Sequence, residues 1–488
     1  MTNLKGPITL FLIYFTNSKI FSVLRFFRFN DPYRLLGVLI ILIVISLPYF
    51  IYQLDLTIAE LNGFVLGEAL NNGQSLYVEL VDDVAPLTAW VYGWVEWIFG
   101  RSITGIHLLA LLIIFFQASY FAVLLISNKA YNENTYLPAL IFGLLAFFSF
   151  DMLSFSPELL ASTILLFALN NLFKEIEFRQ ERDEIVLNLG IYLGIASLIV
   201  FSFSVFLFGT IVVLILFTRL TFRKALLVCF GFLLPHLILI TWYFFNDQHQ
   251  YLFQFFYAPN FTLATLKLIN TQSLLIMGTI PVVYFVFSLV MLNREAHFTK
   301  YQSQLLQVMF LWLAIAFFQI IITRERTAHS FFTFLPPLAY FISHYLLLIR
   351  RKLLAEAMLW VLIIGLVTMA SLTMRGKISS VNYSAIFPET FQNEKEIFNK
   401  RILVLKKDNA IYQQNYLAGY FLDWDLSSKI FEHPEYFENI TLIERSFQKD
   451  APQIIVDDRN LMKPIFDRLP NWKDKYQRKK NVYIKISN

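Results

Sequence analysis

The sequence predicts an α-helical polytopic membrane protein of about eleven transmembrane helices, closed at its C-terminal end by a small extracytoplasmic α/β domain. Of 488 residues, 57% are hydrophobic, 52 are Phe and only 15% are charged, so a soluble surface could not be covered with polar groups. Apolar runs near the length a bilayer demands recur from residue 35 to residue 373. From about Arg375 the composition becomes that of an ordinary soluble domain.

Residues 1–34 interleave Lys5, Lys19, Arg25, Arg28 and Arg34 with Phe, Leu and Ile, which suits a cytoplasmic segment lying in the membrane interface. The transmembrane region, 35–375, opens with a span at about 35–54. Ten more spans are expected at about 103–126, 136–151, 156–174, 187–202, 204–219, 224–245, 271–292, 303–323, 329–349 and 353–373. The SFS at Ser202–Ser204 marks a broken helix or a tight turn between two short ones. With the N-terminus inside, seventeen Lys and Arg fall on the cytoplasmic side, among them Arg179, Arg182, Arg219, Arg223, Lys224, Arg350 and Arg351. Only Arg101, Lys267, Arg324 and Arg326 fall outside before the final domain, and this bias sets the orientation. In 376–488, RILVLKK, ITLIE, PQIIVDD and NVYIKIS read as strands and NLMKPIFDRL as a helix. No cleavable signal peptide is evident, and the single Cys229 excludes an intrachain disulfide.

One stretch breaks the apolar pattern. The first external loop, 55–102, carries Asp55, Glu60, Glu68, Glu79, Asp82, Asp83 and Glu96, and charge beside a bilayer is a functional-site hypothesis by default. A helix is expected from Glu60 to Asn72, with Gly63 and Gly67 leaving open room beside the Glu60 carboxylate. LYVELVDDVAP should be extended until Pro86 opens a second helix to Phe99. That helix is too short to cross, and Trp90, Trp94 and Trp97 place it flat in the interface.

The loop resembles the first external loop of the polyprenyl-phosphate-dependent GT-C glycosyltransferases, the group that includes protein O-mannosyltransferases and the lipid A aminoarabinose transferase. Glu60 takes the family's first acidic position, GEALNNGQSLY follows, and Glu79 and Asp82 take the next acidic places. Pro86-Leu87, Trp97-Ile98-Phe99-Gly100 and Arg101-Ser102 complete the pattern. The resemblance implies a bacterial inner-membrane enzyme that moves a sugar from a polyprenyl-phosphate donor lipid to a glycan, lipid or protein acceptor at the outer face. The chain departs from many relatives in having Leu61 where they carry a second acid, and Val84-Ala85-Pro86 where Lys-Pro-Pro is common.

Such a transfer needs a general base, cations for the departing phosphate and an apolar groove for the lipid. A carboxylate at the membrane edge suits the first need, which makes Glu60, then Asp55, the catalytic candidates. Asp82, Asp83 and Glu79 would support it or hold a divalent cation, Mg²⁺ or Mn²⁺. Arg324, Arg326, His329 and Lys267 are the candidates for the donor phosphate, because cations are scarce on that side. Asp151 and Glu158, in the turn FDMLSFSPEL, are candidates for acceptor or donor contact. His236, after Pro235 in mid-span, reads as a hydrogen-bonded core histidine, and Asp423-Trp424-Asp425 and Asp457-Asp458 as turn and strand-end acids, with a sugar or metal role as the lesser alternative. The basic residues sit in short loops where they orient helices, so nucleic acid is not an expected partner. Walker, HExxH and GxSxG patterns are absent from the sequence. The competing reading is a non-catalytic protein of the same fold, used as a partner or assembly scaffold. A transporter ranks last, since no internal repeat is visible.

Overall fold

The computed structural model describes residues 22–52, 56–178, 182–218, 220–261, 266–267, 269–295, 298–323, 325–388 and 398–486. Seven helices among them are long and apolar enough to cross a membrane: Arg34–Ile51, Ile103–Ser127, Pro157–Glu177, Phe222–Phe245, Lys300–Ile322, Ala328–Leu348 and Lys352–Met374. Thr271–Met277 and Thr279–Arg294, bent by 57°, would make an eighth as one broken span. The chain is an integral membrane protein, and every expected span finds a helix, but not every helix is a span by length. Leu137–Leu145 has nine residues, all buried, and Val205–Phe217 has thirteen. At 1.5 Å per residue these reach about 14 and 20 Å, short of a hydrocarbon core of about 30 Å. The SFS is a tight turn, a 3₁₀ segment over Phe201–Ser204.

The spans pack by two different means. Gly190 and Gly194 on Asp183–Ile199 lie so close to Phe222–Phe245 that a Cβ would overlap the carbonyls of Val228 and Phe232. Small residues of this kind let membrane helices meet backbone to backbone. At the end away from the soluble domain, Lys224 and Glu175 form a buried ion pair at 2.5 Å. There too Glu356 accepts from the Ser22 hydroxyl and the Val23 and Leu24 amides, capping the short helix Val23–Phe27. Of the N-terminal segment expected at the interface, residues from Ser22 onward are described.

Two helices of the first loop form a hairpin. Ile58–Asn71 begins at a capping box, with Thr57 and Glu60 bonding each other's backbone amides. Pro86–Phe99 follows with Pro at its first position and Trp94 and Trp97 exposed, as an interfacial helix requires. The expected open room beside Glu60 is absent, because the glycine stripe is used for packing. A Cβ at Gly63 would overlap the Tyr92 ring, and one at Gly67 the Tyr92 carbonyl and Glu96. Nor is LYVELVDDVAP extended: Leu76 and Leu80 bridge across a turn in which Tyr77 takes a left-handed φ of 69°. The Tyr77 hydroxyl donates to the Val84 carbonyl at 2.6 Å and locks the turn.

The soluble domain holds a five-stranded sheet. After the two-residue parallel pair of β1 (Leu266–Lys267) and β2 (Glu325–Arg326) at the membrane edge, its strands are β3 (Arg401–Val404), β4 (Tyr416–Leu417), β5 (Ile454–Val456), β6 (Tyr476–Lys479) and β7 (Val482–Lys485). They lie in the order β4-β3-β5-β7-β6, parallel from β4 to β5 and antiparallel beyond. ITLIE is a helix, not a strand: within Phe437–Lys449, Ile440, Ile443 and Phe447 are buried at helical spacing, a period that five residues are too few to reveal.

This domain is bolted to the acidic loop. Val81 exchanges backbone hydrogen bonds with Tyr420 and Asp423, and Glu79 pairs with Lys449 at 2.5 Å. Arg101 bonds Glu68 at 2.6 Å and also donates to the carbonyls of Tyr412 and Asn415. Arg101→Ala should therefore lower stability by about 1–3 kcal/mol, the range for charged hydrogen bonds, and loosen the domain from the loop. Hydrogen exchange at Tyr412–Asn415 should rise in that variant; unchanged exchange and melting would contradict the clamp.

Candidate active site

A cavity of about 840 Å³ lies where the acidic loop, the membrane-edge helix ends and the soluble domain meet. The loop contributes Asn62, Gly63, Asp82 and Asp83; the turn before Pro157 contributes Ser154, and the first turn of the helix that Pro157 opens contributes Glu158. Phe201, Ser202, Phe256, Ile322, Thr323 and His329 line its membrane side, and Lys407, Asp408, Asn409, Asp423, Trp424 and Asp425 its roof. Gln319 organises the floor: it donates to Thr323 at 2.7 Å and to Ser202 at 3.3 Å and accepts from Thr333 at 3.1 Å. This network joins the two 3₁₀ segments, Phe201–Ser204 and Ala328–Phe334, that present Ser202 and His329.

Glu60 stands one layer behind the cavity wall. Its side chain is buried and accepts four hydrogen bonds, from His107 at 2.9 Å, Ser154 at 2.6 Å, and the amide and hydroxyl of Thr57, both at 2.9 Å. Burial pushes the carboxyl up, yet the hydrogen bond and charge of His107 with the Ser154 and Thr57 donors outweigh it, and the group sits below its ordinary value of 4.5. A carboxylate so stabilised is a weak base, and what it does hold in place is Ser154, whose side lines the cavity.

The other expected residues divide. Asp82, Asp83, Glu158 and His329 line the cavity; Asp82 is buried and accepts from the Val84 amide at 2.8 Å. Glu79 points away, to Lys449. Asp151 is buried behind the lining and accepts from Ser149, whose hydroxyl meets Tyr383 at 2.7 Å. Burial raises the Asp151 carboxyl, with His329 opposing and Glu60 adding to the rise. Arg326 donates to the Ile321 carbonyl at 3.1 Å and is not part of the lining. Asp55, Arg324 and the Lys267 side chain lie outside the described residues. His236 is held between Ser197 and Tyr257 at 2.8 and 3.0 Å, as a core histidine should be. Among the described residues no group of three or more His, Cys, Asp or Glu could hold a metal ion.

Of the roof residues, the sequence singles out only Asp423-Trp424-Asp425, as turn acids; Lys407, Asp408 and Asn409 carry no signal. Lys407 and Asn409 lie far along the chain from Asn62, with no motif to join them, although Asn409 donates to Asn62 at 2.9 Å. Only strand β3 and the turn after it bring them over the loop.

The Glu60 network makes a pH prediction. Because folding lowers its pKa, the stability it contributes is complete above the ordinary value of 4.5 and is lost as pH falls through the lower folded value. Glu60→Gln should reduce stability at neutral pH by about 1–3 kcal/mol and flatten the acid limb of a melting-versus-pH series. A variant that melts like wild type from pH 7 to pH 3 would contradict the network.

No protein-family model matches the chain, and no curated protein matches it in sequence. Among solved structures it is similar to the Archaeoglobus fulgidus oligosaccharyltransferase in the apo form, at 10% identity and a TM-score of 0.48, over 87% of this chain and 70% of that one. It is also similar to ArnT from Cupriavidus metallidurans bound to undecaprenyl phosphate, at 12% identity and a TM-score of 0.45. ArnT in the apo state gives 12% and 0.47, and both ArnT structures match 89% of this chain and 88% of theirs. These are likenesses of chain path at low identity.

Proposed function

We propose that the protein is an integral-membrane glycosyltransferase of the GT-C type, which moves a sugar from a polyprenyl-phosphate donor to an acceptor at the outer face. In this reading the N-terminus is cytoplasmic and the soluble domain extracytoplasmic. The observation that carries it is the single cavity shared by the acidic loop, the membrane edge and the roof. Its volume is that of a small-molecule site, and its lining joins carboxylates, an imidazole and an ammonium to apolar residues on the membrane side. Ile199, Phe201, Phe256 and Ile322 would border the donor lipid, and the headgroup would sit among the polar residues.

The chemistry follows from the lining. An acceptor hydroxyl attacks the anomeric carbon; its O–H proton passes to a carboxylate as the new C–O bond forms. The bond from that carbon to the phosphate oxygen breaks, and the lipid phosphate leaves with the electron pair. Asp83 is the proposed base, because it lines the cavity and, unlike Asp82, which accepts from the Val84 amide, is not buried. Glu60 becomes a positioning residue, acting through Ser154. His329 and Lys407, facing the cavity from floor and roof, would stabilise the departing phosphate.

Asp83→Asn should lower sugar transfer by about two to four orders of magnitude without changing melting. Full-rate transfer by Asp83→Asn, with transfer lost in Glu60→Gln at equal stability, would return the base to Glu60. Folded wild-type protein that consumes no donor would favour the scaffold reading instead.

A further inference from the structure

The transfer chemistry uses one roof residue, Lys407, and leaves Trp424, Asp425 and Asn409 without a task. We propose that this roof is a saccharide subsite: a sugar ring stacks on Trp424 while its hydroxyls bond Asp425 and Lys407, so that the acceptor is a glycan. The inference rests on the glycosyltransferase reading and adds the class of acceptor to it.

Trp424 is fixed in place before any ligand arrives. It is the first residue of the helix Trp424–Glu432, and Asp423 caps that helix by accepting from the Leu426 amide at 2.8 Å. The indole is half-buried and leans on Phe431, ring centres 6.2 Å apart. An aromatic face held rigid at a cavity wall offers apolar area at little entropic cost, which suits the C–H face of a pyranose. Next to it, the Asp425 carboxylate and the Lys407 ammonium lie 2.6 Å apart, an acceptor beside a donor. Vicinal hydroxyls are donor and acceptor at once and can engage such a pair together. Across the cavity, His329 is buried, and its Nδ1 has no hydrogen-bond partner among the described residues. Peptides are read chiefly through strand edges and apolar grooves, whereas this wall presents side chains from a turn and a helix start.

The test is binding, which needs no turnover. Full-length protein in detergent is run by affinity electrophoresis through gels containing the protease-treated polysaccharide fraction of the source cell envelope, with the tryptic peptides of the same envelope as competitor. Wild type should be retarded, peptides should not relieve the retardation, and Trp424→Ala should weaken it at least tenfold. Trp424→Phe should recover part of the loss, and Asp425→Ala, whose side chain is 39% exposed and outside the core, should weaken binding without lowering melting. No retardation, retardation undiminished from wild type in both Trp424→Ala and Asp425→Ala, or full relief by peptides would each overturn the subsite. Retardation that persists while wild type consumes no donor would sink the transferase reading and leave the subsite standing.

Discussion

The buried Glu60 carboxylate is the point on which the loop and everything around it depend. An ionised group taken out of water costs several kcal/mol unless its oxygens are satisfied, and here four donors satisfy them. Those donors come from three places: the helix's own start, the span Ile103–Ser127 through His107, and the turn before Pro157 through Ser154. Meeting one carboxylate's requirement thus fixes three parts of the fold against each other. Glu68 and Glu79 extend the same logic outward, through Arg101 and Lys449, to the soluble domain.

The loop's acids therefore fall into two groups with different work. Glu60, Glu68, Glu79 and Glu96 are consumed in holding elements together, Glu96 by accepting from Asn71 at 2.5 Å. Asp82 and Asp83, with Glu158 from the next turn, border the cavity. The same division explains the glycines: Gly63 and Gly67 admit Tyr92 and Glu96 at close range, which draws the two loop helices into one rigid wall. A rigid wall on one side and a capped helix start on the other give the cavity its preorganised shape.

Much of this was legible in the sequence, for identifiable reasons. Hydrophobic length found the seven helices long enough to cross, Pro86 and Gly100 bounded the Trp-rich helix, and the acid cluster located one wall of the site. Pattern length failed where context decides. Leu137–Leu145 reads as a span because it is apolar, but it is apolar through being buried on every side. ITLIE alternates over five residues and is helical over thirteen. Glu60 looked like a base because it stands near the start of an acid cluster at the membrane edge, whereas its partners His107 and Ser154 lie 47 and 94 residues away with no signature to announce them. Part of the roof was hidden for the same reason, since Lys407 and Asn409 gain meaning only once β3 carries them over Asn62, and Trp424 once Asp423 bonds the Val81 carbonyl.

The central claim is that loop and soluble domain close over one cavity on one side of the membrane. The most direct measurement is oxidative cross-linking of Asn62→Cys with Asn409→Cys in a Cys229→Ser background, in sealed vesicles treated with a membrane-impermeant thiol reagent of known sidedness. The two side chains touch at 2.9 Å, so an intramolecular disulfide should form in high yield, and both thiols should be blocked by the reagent from the same side. Thiols that react from opposite sides, or that never cross-link in folded protein, would contradict the account.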